Sequence, residues 1–169
     1  EIQGQGDLYW LVVKKPFDEV YPKIREFWAE QGFRLTLDEP TLGVMETEWL
    51  SMKSGSDGFF SSLLASLSGA ESKDQYKTRL QRGAADEMTL VYIAHRAQEL
   101  MIDPSEQSSQ FQRNLKEGWQ WAAADPGKEY EMISRMMIFL GMQEEQVKRE
   151  LEKIGQFAAR ASIQAYDDD

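Results

Sequence analysis

The 169-residue sequence holds one histidine, His95, and no cysteine. An imidazole general base needs a nucleophile within hydrogen-bond reach and an acid to orient it. His95 closes an alternating apolar run and is followed by Arg96. No G-x-S-x-G turn accompanies it, so a structural or surface role is favoured over catalysis. Zinc ligation would need carboxylates at metal spacing around that one imidazole, and none is evident. The lack of cysteine removes thiol nucleophiles, thiolate metal sites and disulfides. Glu46 and Glu48 share one face of a strand pattern and come nearest to the paired carboxylates of glycoside chemistry. Such pairs are common on wet strands, and Lys77 and Arg79 occupy a neighbouring strand pattern where they can neutralise them. The Asp167-Asp168-Asp169 run lacks the alternating ligands and glycine of a calcium loop and reads as solvated linker. No catalytic residue, metal ligand or cofactor is assigned.

Apolar residues make up 41% of the chain, with eight Phe, five Trp and eight Met, enough to fill a core. The length allows one compact domain and an appendage. Lys and Arg number 19 against 29 Asp and Glu, a net charge of −10. That surface repels phosphate backbones, and no basic cluster offsets it, so nucleic-acid binding is disfavoured. No apolar run approaches the roughly 18–20 residues that span a bilayer. No signal-peptide pattern is present, and the opening Glu1-Ile2-Gln3-Gly4 reads as an internal cut.

Tyr9 to Val13 is a short β-rich run with both faces apolar, expected to be covered on one side and partly on the other. Phe17, Val20, Tyr21, Ile24, Phe27 and Trp28 then trace one helical stripe over about Asp18 to Gln31. Asp18 is the expected N-cap and Gly32 the left-handed stop. Alternation around Phe33 to Leu37, Val44 to Trp49, Tyr76 to Gln81 and Met88 to His95 predicts an antiparallel meander. Residues 98–124 read as a long ordered loop with a helical turn, weakened by Gly118. Asp125-Pro126 opens a second helix with Tyr130, Ile133, Met136, Met137 and Leu140 on its stripe and Gly141 at its end. Met132, Met136 and Met137 suit core filling more than an adaptable binding surface. A third helix runs from Glu144 to about Arg160, with Val147, Leu151, Ile154 and Ala158 on one face. The expected fold is α+β: a helix-grip arrangement of order β-α-β-β-β-β-α plus a C-terminal helix, with an antiparallel sheet packed against helices.

The stretch from Ser51 to Ser72 interrupts the meander with serine and glycine around Phe59, Phe60, Leu63, Leu64 and Leu67. Those five fall on one side of a short helix pattern. Two readings stay open: an exposed apolar patch for a protein partner or membrane surface, or a segment folded back on the sheet. Trp119 and Trp121 are either packing anchors or partner contacts.

Three ordered blocks carry a resemblance. Pro16-Phe17-Asp18-Glu19-Val20-Tyr21-Pro22 leads through Phe27-Trp28 and Gly32-Phe33 to Gly43-Val44-Met45-Glu46-Thr47-Glu48-Trp49. Tyr76-Lys77-Thr78-Arg79-Leu80 is followed by Val91-Tyr92-Ile93-Ala94-His95-Arg96. Trp119-Gln120-Trp121 precedes Asp125-Pro126 and Met132 to Gly141. Together they resemble the first globular domain of the BamC (NlpB, DapX) family of outer-membrane protein assembly lipoproteins. The resemblance implies a non-catalytic accessory subunit of the β-barrel assembly machinery that acts by protein–protein interaction. It implies BamD and other subunits of the complex as partners. It also implies anchoring to the outer membrane through a lipidated cysteine, which this sequence lacks, with the periplasmic side or the cell surface left open. On that basis residues 8–141 are the helix-grip domain, and 142–169 are helix and linker toward a second domain. The extended N-terminal arm through which the family chiefly contacts BamD is not matched, nor is the Phe59–Leu67 stretch. The alternative function is a small-ligand carrier with a cavity between helix and sheet, lined by Phe17, Ile24, Phe27, Trp28, Leu35 and Trp49.

If the Phe59–Leu67 stretch is an exposed patch, Phe60→Asp keeps the cooperative thermal transition and weakens partner association. Loss of that transition would instead place Phe60 in the core.

Overall fold

The computed structural model describes residues 1–5, 8–51, 72–85, 87–101 and 118–154. Two compact units divide the chain. The first comprises Glu1–Glu48, Tyr76–Ala94 and Pro126–Asp169; the second comprises Trp49–Gln75 and His95–Asp125.

The strands are β1 (Ile2–Gln5), β2 (Leu8–Val13), β3 (Leu35–Glu39), β4 (Val44–Thr47), β5 (Leu50–Ser51), β6 (Ser72–Arg82), β7 (Thr89–Met101) and β8 (Gly118–Ala122). The helices are α1 (Phe17–Glu30), α2 (Pro126–Phe139) and α3 (residues 144–154). The class is α+β, as the sequence implied. Sheet order runs β1-β2-β7-β6-β4-β3, with β5 paired to β6 and β8 paired to β7. The pairings that fix register, such as Leu11 opposite Val91 and Met45 opposite Thr78, are antiparallel.

Within the first unit, α1 forms because its apolar stripe is continuous. Phe17, Val20, Tyr21, Ile24, Phe27 and Trp28 are all buried. Its start differs from the expectation. Pro16 takes the N-cap position in extended conformation, and its carbonyl accepts from the N–H groups of Glu19 and Val20 at 3.0 and 3.1 Å. Proline has its φ already fixed there, so the helix begins at Phe17. Asp18 lies in the first turn, where a negative charge suits the helix dipole, and it pairs with Arg82 at 3.2 Å. The helix ends as expected. Gly32 has φ +83°, its N–H bonds Ala29 O, and the Phe33 N–H reaches back to Trp28 O at 3.0 Å. That is a Schellman closure, completed by the edge-to-face contact of Phe33 with Trp28. The end of α2 repeats it: Gly141 has φ +95° and the Met142 N–H bonds Met137 O.

Trp28 sits at the centre of the core with no exposed surface. It stacks on Tyr76 at 5.2 Å between centroids and meets Phe27 edge-on. Its indole N–H donates to Thr78 Oγ1 at 3.0 Å. Burying an indole without an acceptor would cost about 1–3 kcal/mol, so this one bond fixes which β6 residue faces the helix. Phe27 in turn contacts Phe139 of α2, and Tyr130 of α2 stacks on Tyr9 of β2. The two helices therefore lie side by side on one face of the sheet. Leu11 and Val12, successive residues of β2, are both buried, which agrees with the two-sided apolar run. Met132, Met136 and Met137 are buried and fill the core. Val147 and Ile154 of α3 are buried too, and Glu150 accepts the Ile2 N–H at 2.6 Å, so α3 packs on this unit.

Gly43 closes the β3–β4 turn with φ +67°, and a Cβ there would collide with the Leu80 carbonyl oxygen. The Leu80 N–H donates to Gly43 O at 2.7 Å, so the turn is held flat against β6. Only glycine satisfies both conditions.

In the second unit β5 pairs with the start of β6, Leu50 opposite Asp74. β8 pairs with the end of β7, Ala97 opposite Ala122 and Gln98 opposite Trp121. The strand count thus exceeds the expected order by β1, β5 and β8. Residues 118–122 are a strand where the sequence suggested loop or helix. Gly118 is a poor helix former, and β7 extends to Met101, so its unpaired backbone groups take β8 as a ladder partner.

Thr78→Val keeps the shape of the side chain and removes the indole's acceptor. It is expected to lower unfolding stability by about 1–3 kcal/mol in urea denaturation, whereas Thr78→Ser loses less. A Val variant as stable as the parent would show that the bond does not anchor α1.

Candidate interaction surface

The chemistry-bearing residues of the second unit meet at His95. Its side chain and that of Asp74 are buried, with His95 Nε2 2.8 Å from Asp74 Oδ1. The Asp125 backbone N–H donates to His95 Nδ1 at 3.0 Å. An Nδ1 that accepts leaves the proton of a neutral ring on Nε2, where it is donated to Asp74. Both nitrogens are thus engaged in structure. The His–Asp pair looks like two members of a triad, but the nitrogen that would take a nucleophile's proton faces a backbone N–H instead. The dyad ties the start of β6, the middle of β7 and the residue before α2.

The carboxylates separate rather than pair. Glu46 meets Lys77 at 2.8 Å, in register across β4 and β6, as its spacing implied. Glu48 does not use Arg79; it pairs with Arg34 at 3.0 Å. The Arg34 guanidinium holds the Glu48 carboxyl below the usual glutamate range. Among the described residues no cluster of three His, Asp or Glu could hold a metal.

Trp121 is the most exposed of the aromatic residues described, at 68%, and its ring lies against Trp49 at 5.6 Å and 64°. Trp119 sits two positions earlier in β8, opposite Leu100. Phe59, Phe60, Leu63, Leu64 and Leu67 lie outside the described residues, as does the Asp167–Asp169 run. Trp121 is therefore the described side chain that joins exposure to the chemistry of a binding anchor, a rigid aromatic with a polar N–H. Leu42 and Leu8 of the first unit are exposed singly, which is ordinary on a protein surface.

The ligand-carrier reading expected a cavity between α1 and the sheet. Phe17, Ile24, Phe27 and Trp28 fill that space, each at most 7% exposed. A groove of about 480 Å³ lies elsewhere in the first unit, where the end of β2 meets the turn between α2 and α3. At the other end of β2, Tyr9 donates to Glu129 Oε2 at 2.9 Å, and burial followed by that carboxylate pushes the phenol well above its ordinary pKa. Burial raises the Glu150 carboxyl, but its bonds from Lys153 and the Ile2 N–H outweigh this and hold it below the usual range.

Geometry defines the class: an α+β helix-grip domain whose lone histidine is held in buried structural bonds and whose Met45, Met132, Met136 and Met137 fill the core. Comparison with known proteins supplies the family. The chain is 30% identical over 149 residues to the outer membrane protein assembly factor BamC of Accumulibacter regalis, which covers 85% of this chain and 37% of that protein. It is 33% identical over 148 residues to BamC of Thiobacillus denitrificans, covering 85% and 38%. It is also 27% identical over 155 residues to the uncharacterized protein NMB0928 of Neisseria meningitidis serogroup B, covering 87% and 37%. No protein-family model matches the chain. On these matches the chain belongs to the BamC family, as a partial and distant relative of the two named members. It spans well under half the length of the curated relatives it matches.

His95→Leu removes the imidazole while keeping the volume roughly constant. It is expected to cost about 2–4 kcal/mol in chemical denaturation, because the buried Asp74 carboxylate loses a charge-assisted bond. An unchanged denaturation midpoint would rule out the structural role.

Proposed function

We propose that this chain is a domain of a non-catalytic accessory subunit of the outer-membrane β-barrel assembly machinery, and that it works by protein–protein interaction. The observation that carries the reading is the match to two proteins named outer membrane protein assembly factor BamC over 85% of the chain. The engagement of both His95 nitrogens supports a non-enzymatic role. BamD is the first partner in this proposal, alongside other subunits of the complex. The protein is held at the outer membrane by a lipidated cysteine outside this sequence. Among the described residues no helix is long and apolar enough to cross a membrane, which is compatible with such an anchor. Residues 8–141 form the interaction domain and 142–169 lead toward a second domain. Trp121 and Trp119, with the Phe59–Leu67 stretch, form the partner surface.

The test is affinity co-purification from detergent-solubilised membranes. The full-length protein is expected to retain BamD and further assembly subunits, and the 169-residue chain alone to retain less. Trp121→Ala in the full-length protein is expected to weaken retention by roughly 10-fold or more while leaving the thermal transition in place, as for an exposed aromatic anchor. Full-length protein that retains no assembly subunit would overturn the function. Undiminished retention by the Trp121 variant would remove that residue from the surface.

A further inference from the structure

The groove at the end of β2 is built as an amphiphile site. Its apolar lining is Leu11, Val12 and Val13 of β2 with Met137, Leu140 and Met142 around the α2–α3 turn, of which Val13, Leu140 and Met142 are half-buried and the others buried beneath them. Thioethers adapt to flexible apolar ligands, and two of the six apolar lining residues are methionines, Met142 being the half-buried one. The rim carries Lys14 and Arg149, both exposed. Neither pairs with a carboxylate among the described residues, unlike most other cations of this unit. Two carboxylates also line the groove. Glu150 is engaged by Lys153 Nζ at 2.7 Å and by the Ile2 N–H at 2.6 Å, and Glu1 is exposed at the edge. A protein of net charge −10 thus keeps two uncommitted cations beside this groove. The volume of about 480 Å³ falls in the range of small-molecule sites.

The geometry points to this groove as a binding site for a long-chain carboxylate, with the acyl chain on the methionine-lined floor and the carboxylate between Lys14 and Arg149. Apolar burial supplies most of the affinity. The two cations select the sign of the head group and fix which end of the ligand faces water. This site differs from the filled space under α1, and it does not depend on the assembly role proposed above.

Dodecanoate, kept below its micelle-forming concentration, is the probe, titrated into the ¹⁵N-labelled 169-residue chain. Saturable amide shifts are expected at Val13, Lys14, Met137 to Met142 and Arg149. The double variant Lys14→Glu with Arg149→Glu changes only exposed side chains and is expected to weaken binding roughly 10-fold. Leu140→Trp fills the groove and is expected to abolish binding; should it unfold the protein, the charge variant decides. Dodecyltrimethylammonium should bind more weakly than dodecanoate to the parent and more tightly than dodecanoate to the double variant. Absence of saturable binding overturns the proposal. So do shifts confined to other regions, or equal binding of the cationic and anionic amphiphiles to the parent.

Discussion

The fold of the first unit depends on one buried contact, the indole of Trp28 against β6. Its large apolar area favours complete burial, yet its N–H must find an acceptor once water is gone. Thr78 Oγ1 is that acceptor at 3.0 Å, and Tyr76 gives the ring a flat surface two residues earlier on the same strand face. One side chain thus specifies the rotation of α1 about its axis and which face of β6 is inward. β4 follows from this, because Met45 lies opposite Thr78 and is itself fully buried. The Tyr76 N–H donates to Thr47 Oγ1 at 2.9 Å, so a second threonine repeats the device one strand away. Buried threonines here serve as polar fittings in an otherwise apolar layer.

The helix ends turn that contact into a layer. Gly32 and Gly141 both adopt positive φ, and each closes its helix through the same pair of backbone bonds. The residue after each glycine folds back under the helix: Phe33 against Trp28, Met142 bonded to Met137. The consequences differ. After α1 the chain enters β3 and stays in the sheet. After α2 it turns directly into α3, whose Val147 and Ile154 are buried in the same unit. The α2–α3 turn also leaves Leu140 and Met142 beside the end of β2, and so forms the groove.

The parts legible in the sequence were those set by local period and turn chemistry. The stripe from Phe17 to Trp28, the alternation Tyr76-Thr78-Leu80 and the glycine stops are each decided within a few residues, and each was found where its pattern placed it. The parts that escaped depend on distant partners. Lys73 to Gln75 precede the alternation that begins at Tyr76 and carry no pattern of their own, yet they are strand, with Asp74 fully buried because it meets a histidine 21 residues away. Residues 118–122 have no strand signal of their own beyond two spaced tryptophans; the far end of β7 makes them one. Asp18 looked like a cap by residue type, but the preceding proline already held the extended geometry that a cap position needs.

The same reasoning applies to the candidate site. A lone histidine invites a catalytic reading, and no periodicity argument can say what its two nitrogens touch. Here one faces a carboxylate and the other a backbone N–H from a residue 30 positions on. That arrangement uses the full hydrogen-bonding capacity of a neutral ring to join three chain segments, and leaves no lone pair for chemistry. The buried polar groups of His95 and Asp74 are aimed at each other. What the second unit presents outward instead is an indole, Trp121, braced by Trp49 and exposed at 68%. Rigid internal polar bonds behind an exposed aromatic suit a surface that must keep its shape while a partner docks.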